Sequence, residues 1–190
     1  MISLATIRQI LTHKGVVTPK SSNLKPSAVL VPIVERDNGL HLLLTQRTEH
    51  LKHHAGQISF PGGRMDKTDT DLIHTALRET EEEIGVTKDY IEVIGKLPIQ
   101  PTVSGYIIQP IVAIIENHYE MTINPDEVAD AFEVPLDFLL DESNRSHVYK
   151  EFNGQRYPIY SIPYQERDIW GATAGIIVAF SKQLQNHFDN

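Results

Sequence analysis

Three glutamates at the wrong end of a helix constrain this chain most. From Leu51 to Val86 (LKHHAGQISFPGGRMDKTDTDLIHTALRETEEEIGV), a His- and Gly-rich loop leads into a segment whose Ile73, Ala76, Leu77, Thr80 and Ile84 fall at the spacing of one buried helix face. Gly85 is the expected stop. At about 100° per residue, Glu79, Glu82 and Glu83 lie within about one third of the circumference, off the apolar stripe, so their carboxylates are expected to converge on one patch. Like charges at this spacing repel by roughly 0.2–0.5 kcal/mol per pair, and Glu81 adds charge beside them. The negative end of the helix dipole opposes each anion by roughly 0.3–1 kcal/mol. A solvated helix face explains most glutamate runs. A run placed where the helix tolerates it least, behind a glycine-rich loop, points instead to a site for a hard cation.

In that loop, Gly62 and Gly63 follow Pro61, allow a sharp turn and a close approach of backbone to ligand, and sit between an extended run, Gln57 to Phe60, and the helix. Together with RETEEEIGV, the arrangement resembles the signature of the Nudix hydrolase superfamily. Arg78, Glu79, Glu82, Glu83 and Gly85 fall on that family's Arg-Glu-x-x-Glu-Glu-x-Gly core. One departure is Asp69, which stands where the pattern has glutamate and one residue too far from Arg78. Upstream, LLTQRTEHLKHHAGQISFPGG is similar to a motif of the coenzyme A pyrophosphatase branch, matched at Arg47, Leu51, His54, Gly56 and Gln57. The segments TVSGYIIQPIV, NPDEVADAFEVPL and IWGATAGI resemble later parts of that branch, in the same order.

The resemblance implies an α/β fold, a Nudix-type α-β-α sandwich with a mixed β-sheet. It implies Mg²⁺ or Mn²⁺ held by Glu79, Glu82 and Glu83, with Arg78 placing a carboxylate. It also implies cleavage of the diphosphate of coenzyme A or its thioesters to 3',5'-ADP and 4'-phosphopantetheine or its acyl form. Arg47, His54, Gln57, Gly62 and Gly63 become substrate-binding residues, joined by Thr102, Ser104 and Gly105 from a later turn. His53 is expected to be a plain surface histidine. Arg47 suits either a phosphate or a structural pairing with the acidic helix, and Glu127 is either a further carboxylate of the site or a surface residue. Three other functions remain open: the same chemistry on another nucleoside diphosphate such as ADP-ribose or a dinucleoside polyphosphate, a non-catalytic binding module, or a structural acidic helix.

Composition narrows the partners. A chain of 190 residues with 41% hydrophobic content suits one domain over residues 1–190, with the metal-binding loop and helix at about 57–86. A net charge of -8 argues against a nucleic-acid partner. The lack of cysteine excludes a disulfide scaffold, a thiolate nucleophile and a Cys-ligated zinc site. No apolar run nears the roughly 18 residues of a membrane span, and the first residues, interrupted by Arg8 and Gln9, do not resemble a secretory signal. The expectation is a cytoplasmic enzyme, monomer or homodimer, acting on a small diphosphate.

Along the rest of the chain, Leu4, Ile7, Ile10 and Leu11 predict a first helix, and Gly15 to Pro26 a loop. Ala28 to Val34 and Leu40 to Thr45 predict a hairpin around Asp37-Asn38-Gly39, with Pro32 arguing against a central place for the first strand. Tyr90 to Leu97 and Tyr106 to Ile115 predict strands, Phe132 to Leu140 a strand passing into a short helix, and Val148 to Ile162 a hairpin about Asn153-Gly154. Gly171 to Leu184 predicts a last helix opened by Trp170 as a packing anchor.

Overall fold

The computed structural model describes residues 2–12, 24–51, 54–102, 104–152 and 154–188. His53, Asn153 and the loop expected at 15–23 lie outside the described residues. In chain order the elements are α1 (Leu4–Thr12), β1 (Lys25–Arg36), β2 (Gly39–Arg47), β3 (Ile58–Ser59), β4 (Gly62–Arg64), α2 (Leu72–Ile84), β5 (Ile91–Lys96), β6 (Gln100–Pro101), β7 (Tyr106–Ile115), β8 (Val128–Pro135), α3 (Leu136–Leu140), β9 (Ser146–Phe152), β10 (Gln155–Tyr164), β11 (Arg167–Trp170) and α4 (Gly171–Phe188).

The large sheet runs β3-β2-β1-β7-β5, with β4 on β1, β6 on β7 and β8 on β2. Its β1–β7 pair is parallel and its other pairs antiparallel, so the sheet is mixed. Alternation along the strands sends side chains to two apolar layers. Ala28, Leu30, Ile111 and Ala113 meet Ala76 of α2 on one face. Val31, Ile33, Leu42, Leu44 and Val112 meet Ile7 of α1, Leu139 of α3 and Ile177 and Phe180 of α4 on the other. Helices on both faces of a mixed sheet are the α-β-α arrangement expected from the sequence.

Three expectations need correction. First, β1 begins at Lys25, so Lys25 and Pro26 belong to a strand and not to a loop. Second, β1 is central despite Pro32. Its neighbour changes there, from β4, paired as far as Val29, to β2, paired from Ile33, and the proline's missing N–H falls in the gap. Third, Trp170 does not open a helix as a buried anchor. It ends β11, a strand missing from the sequence reading, and is 44% exposed. That strand completes a separate antiparallel sheet, β11-β10-β9.

Two caps fix α2 in length. Asp71 at its start accepts the His74 N–H at 2.8 Å. Gly85 ends it with φ 72°, where a Cβ would come 2.9 Å from the Thr122 carbonyl. The wholly buried Ile84 adds about 1.5–3 kcal/mol of apolar burial next to that cap. Among the described residues no helix is long and apolar enough to cross a membrane.

Candidate active site

The C-terminal carbonyls of α2 need partners, and a later loop supplies them. Thr122 N–H donates to Ile84 O and Asn124 N–H to Glu83 O, both at 2.9 Å. Asn124 Oδ1 then accepts the Asp126 N–H at 3.1 Å, and the Asn124 carbonyl accepts the Glu127 N–H at 3.1 Å. The turn that caps the helix thereby brings Glu127 to the glutamates. Its charge raises the pKa of both Glu79 and Glu83.

The expected single patch of Glu79, Glu82 and Glu83 is divided in the structure. Glu83 is 2% exposed, although the sequence placed it off the buried stripe. Its Oε2 accepts the Gly62 N–H at 3.2 Å, and its Oε1 lies 3.7 Å from Arg47 Nη1. Burial pushes its carboxyl up to about 8, against the opposing pull of Gly62 and Arg47. Glu79 is also raised by burial, with Arg78 pulling the other way. Glu82 points outward, its side chain 53% exposed. Helix periodicity explains the division, because Glu79 and Glu83, four residues apart, both face β4 while Glu82 is turned about 100° away.

Arg78 joins these groups. Its Nη1 donates to Glu82 at 2.9 Å, Nη2 reaches Glu79 at 2.9 Å, and Nε and Nη2 donate to Asp69 at 2.9 and 3.0 Å. Asp69, whose side chain is wholly enclosed, also accepts from the Asp66 N–H at 2.8 Å and from Thr75 Oγ1 at 2.9 Å, with His74 Nδ1 at 3.0 Å. Arg78 holds its carboxyl well below the usual carboxylate range. The residue that departed from the sequence pattern is thus the anchor for the arginine that aligns the glutamates. Asp69→Asn keeps the shape but turns an NH₂ toward Arg78, and is expected to cost about 2–4 kcal/mol. An unfolding free energy from urea titration within about 0.5 kcal/mol of wild type would refute that role. Because the pKa is depressed, this stabilisation is present above the unfolded value of 3.8 and is lost as pH falls below it.

Both loop glycines are required, for different reasons. Gly62 has φ 153°, and a Cβ there would stand 2.4 Å from Ala28 O and 2.6 Å from Val29 Cα, backbone atoms of β1 that cannot yield. At Gly63 a Cβ would meet the Glu79 carboxylate at 2.5 Å, a group that can move. Gly62→Ala is therefore expected to cost about 2–4 kcal/mol of stability. Gly63→Ala should cost under about 1 kcal/mol but, by displacing Glu79, slow turnover ~10–100-fold. Parallel urea and turnover measurements separate the two, and normal turnover in Gly63→Ala would contradict the placement of Glu79.

On the upstream loop, Arg47 N–H donates to Gln57 O at 2.9 Å. His54, at φ 58°, sets Nδ1 2.7 Å from Gln57 Oε1. Of the two roles expected of Arg47, the pairing with the acidic helix is present: its terminal nitrogen faces Glu83, while its buried Nε has no partner among the described residues. Thr102, Ser104 and Gly105 lie elsewhere. Their hydrogen bonds close the turn on itself, and Gly105 O accepts from Lys25 at the start of β1. That is roughly 13 Å along the strand from Val29, where β1 meets Gly62.

The donor set fits a hard divalent ion. Glu127 raises the proton affinity of Glu79 and of Glu83, and Glu79 adds to that of Glu83, beside a backbone approach that admits only glycine, a repulsion that a dication relieves. Among the described residues no three His, Cys, Asp or Glu side chains come together as a group that could hold a metal ion by themselves. Mg²⁺ characteristically takes one or two carboxylates and completes its shell with water and substrate phosphate.

The family model described as NUDIX domain matches residues 24–152. A protein of Pectobacterium atrosepticum called an uncharacterized Nudix hydrolase NudL is 40% identical over 162 residues, covering 85% of this chain and 84% of its own. One of the same name from Escherichia coli O7:K1 is 42% identical over 165 residues, with 85% and 84% covered. The crystal structure of a MutT protein from Methanosarcina mazei Go1 shares the fold at a TM-score of 0.52, covering 90% of this chain and 100% of that one at 16% identity. With the domain matched across the loop, the helix and the Glu127 turn, the chain belongs to the Nudix hydrolase family.

Proposed function

We propose that this Nudix hydrolase cleaves the diphosphate of coenzyme A or its thioesters, using Mg²⁺ or Mn²⁺. The observation that carries the reading is the union of the upstream motif with the carboxylate site: Arg47 bonds Gln57 through its backbone and faces Glu83 through its side chain. Nudix hydrolases generally use such divalent ions. When bound, the ion neutralises diphosphate oxygens and lowers the pKa of a water. Glu79, Glu83 and Glu127 would hold it, with Glu82 at the rim.

The protein's own groups do the rest. Arg78 fixes Glu79 and Glu82 before substrate arrives, so no reorganisation is needed during reaction. Gly62 lets β4 close on β1 and Gly63 lets the Glu79 carboxylate close on the loop, and Arg47 beside Glu83 would supply positive charge for a phosphate. The oxygen of one water attacks a phosphorus and the bridging P–O bond breaks, giving 3',5'-ADP and 4'-phosphopantetheine. Glu83 and Glu127 are the carboxylates not tied to Arg78, and one of them would take the water's proton.

Mass spectrometry of products from coenzyme A with Mg²⁺ or Mn²⁺, beside ADP-ribose and a dinucleoside polyphosphate, tests the reading. The two named fragments, formed faster than products of the other substrates, are the expected result. Intact coenzyme A alongside rapid cleavage of another substrate would overturn the assignment.

A further inference from the structure

A cleft of about 530 Å³ opens on the α4 side of the sheet, lined among others by Gln46, Gly56, Ile58, Gln165, Glu166 and Trp170. Its volume is that of a small-ligand pocket. Trp170 is the chain's one tryptophan and is 44% exposed, while the preceding Ile169 is wholly buried. An indole left half in solvent forfeits much of its burial and presents a flat apolar face with a polar edge.

The polar lining is unusual in what it leaves free. Arg167 donates to Asp130 at 2.6 Å and lies over the Phe132 ring at 4.1 Å, and Asp168 accepts from Ser161 at 2.6 Å. Among the described residues the side chains of Gln46, Gln165 and Glu166 have no hydrogen-bond partner. Gln165 sits at φ 53° in the tight turn between β10 and β11, a conformation that glycine or asparagine adopts more cheaply.

Among the described residues no uncommitted cation lines the cleft, and its described lining does not suit a phosphate. A flat face, two amides and a carboxylate suit an uncharged planar ring with donors and acceptors along its edge, one of them an amine for Glu166. The cleft is joined to the carboxylate site in sequence. Gln46 precedes Arg47 and Gly56 precedes Gln57, the two residues joined by the 2.9 Å backbone bond.

We propose that this cleft takes the nucleobase of the substrate, with Trp170 stacking on the ring and Gln46, Gln165 and Glu166 reading its edge. The proposal rests on the diphosphatase reading for what carries the base, and its test is separable from that reading. Because Trp170 is the only tryptophan, intrinsic fluorescence of the full chain reports this cleft without any turnover. Adenosine 3',5'-bisphosphate is expected to quench it saturably, and 4'-phosphopantetheine to leave it unchanged.

In kinetics, Trp170→Leu should raise KM for coenzyme A about tenfold, within the range of base–aromatic stacking, with kcat altered less than about twofold. Trp170→Phe keeps a stacking face and should restore most of the KM. No quenching by the bisphosphate, equal quenching by phosphopantetheine, or an unchanged KM in Trp170→Leu overturns the proposal. Quenching in a chain that leaves coenzyme A intact would sink the coenzyme A assignment and keep the nucleobase cleft. Hydrolysis of coenzyme A with a silent tryptophan would do the reverse.

Discussion

Glu83→Gln is expected to lower turnover by at least ~10²-fold while the protein stays folded, a loss of about 2.7 kcal/mol in transition-state stabilisation. The amide oxygen can still accept the Gly62 N–H, so the loop keeps its position, while the charge facing Arg47 is lost. Glu127→Gln should cost at least about tenfold, since Glu127 acts on the same two glutamates from the capping loop. Turnover measured at saturating substrate and metal, with circular dichroism to establish folding, reads both. Near-wild-type rates in the two variants would remove the carboxylate site from catalysis. Glu82→Gln asks a narrower question, because that exposed group is tied to Arg78. A loss as large as that of Glu83→Gln would place Glu82 in the donor set.

What the sequence disclosed was local. The α2 stripe, its Gly85 stop and the glycine pair before it all lie within one stretch, and periodicity with cap chemistry is enough to read them. Asp69 was visible but uninterpreted, because its meaning depends on the direction in which Arg78 folds back over the loop. Glu127 reaches the glutamates only through hydrogen bonds from its turn to the end of α2, and no local pattern records a contact over that separation. The burial of Glu83 was missed for a related reason: a helical wheel marks a stripe but does not know that β4 passes beside it. Pro32 misled because the rule against proline in central strands assumes one continuous neighbour on each side, and β1 changes neighbours at that residue. Residues 167–170 are too short and too charged to stand out as a strand, so Trp170 was assigned to the helix that follows.

The same buried carboxyl should make the metal-free protein less stable as pH rises. Glu83 has a folded pKa of about 8 against 4.5 for the free group, so between those values the folded state binds more protons than the unfolded one. Stability from this residue is therefore undiminished below the unfolded value and declines as pH climbs toward about 8. At roughly 1.4 kcal/mol per unit, and allowing for the coupling of Glu83 to Glu79 and Glu127, the decline is on the order of 2–4 kcal/mol. Glu83→Gln abolishes it. In chelator, the variant should match wild type near pH 5 and exceed it at pH 8 by several degrees in Tm. Asp69 works in the opposite direction and at lower pH, where its depressed pKa makes acid destabilising, so the difference between variant and wild type isolates Glu83 above pH 5. Added Mg²⁺ or Mn²⁺ should then raise the Tm of wild type, by about 2.7 kcal/mol of linkage at a hundredfold excess over Kd, and raise that of the variant much less. Equal pH slopes in chelator, together with equal metal shifts, would mean that Glu83 is a structural partner of Arg47 and Gly62 and holds no cation.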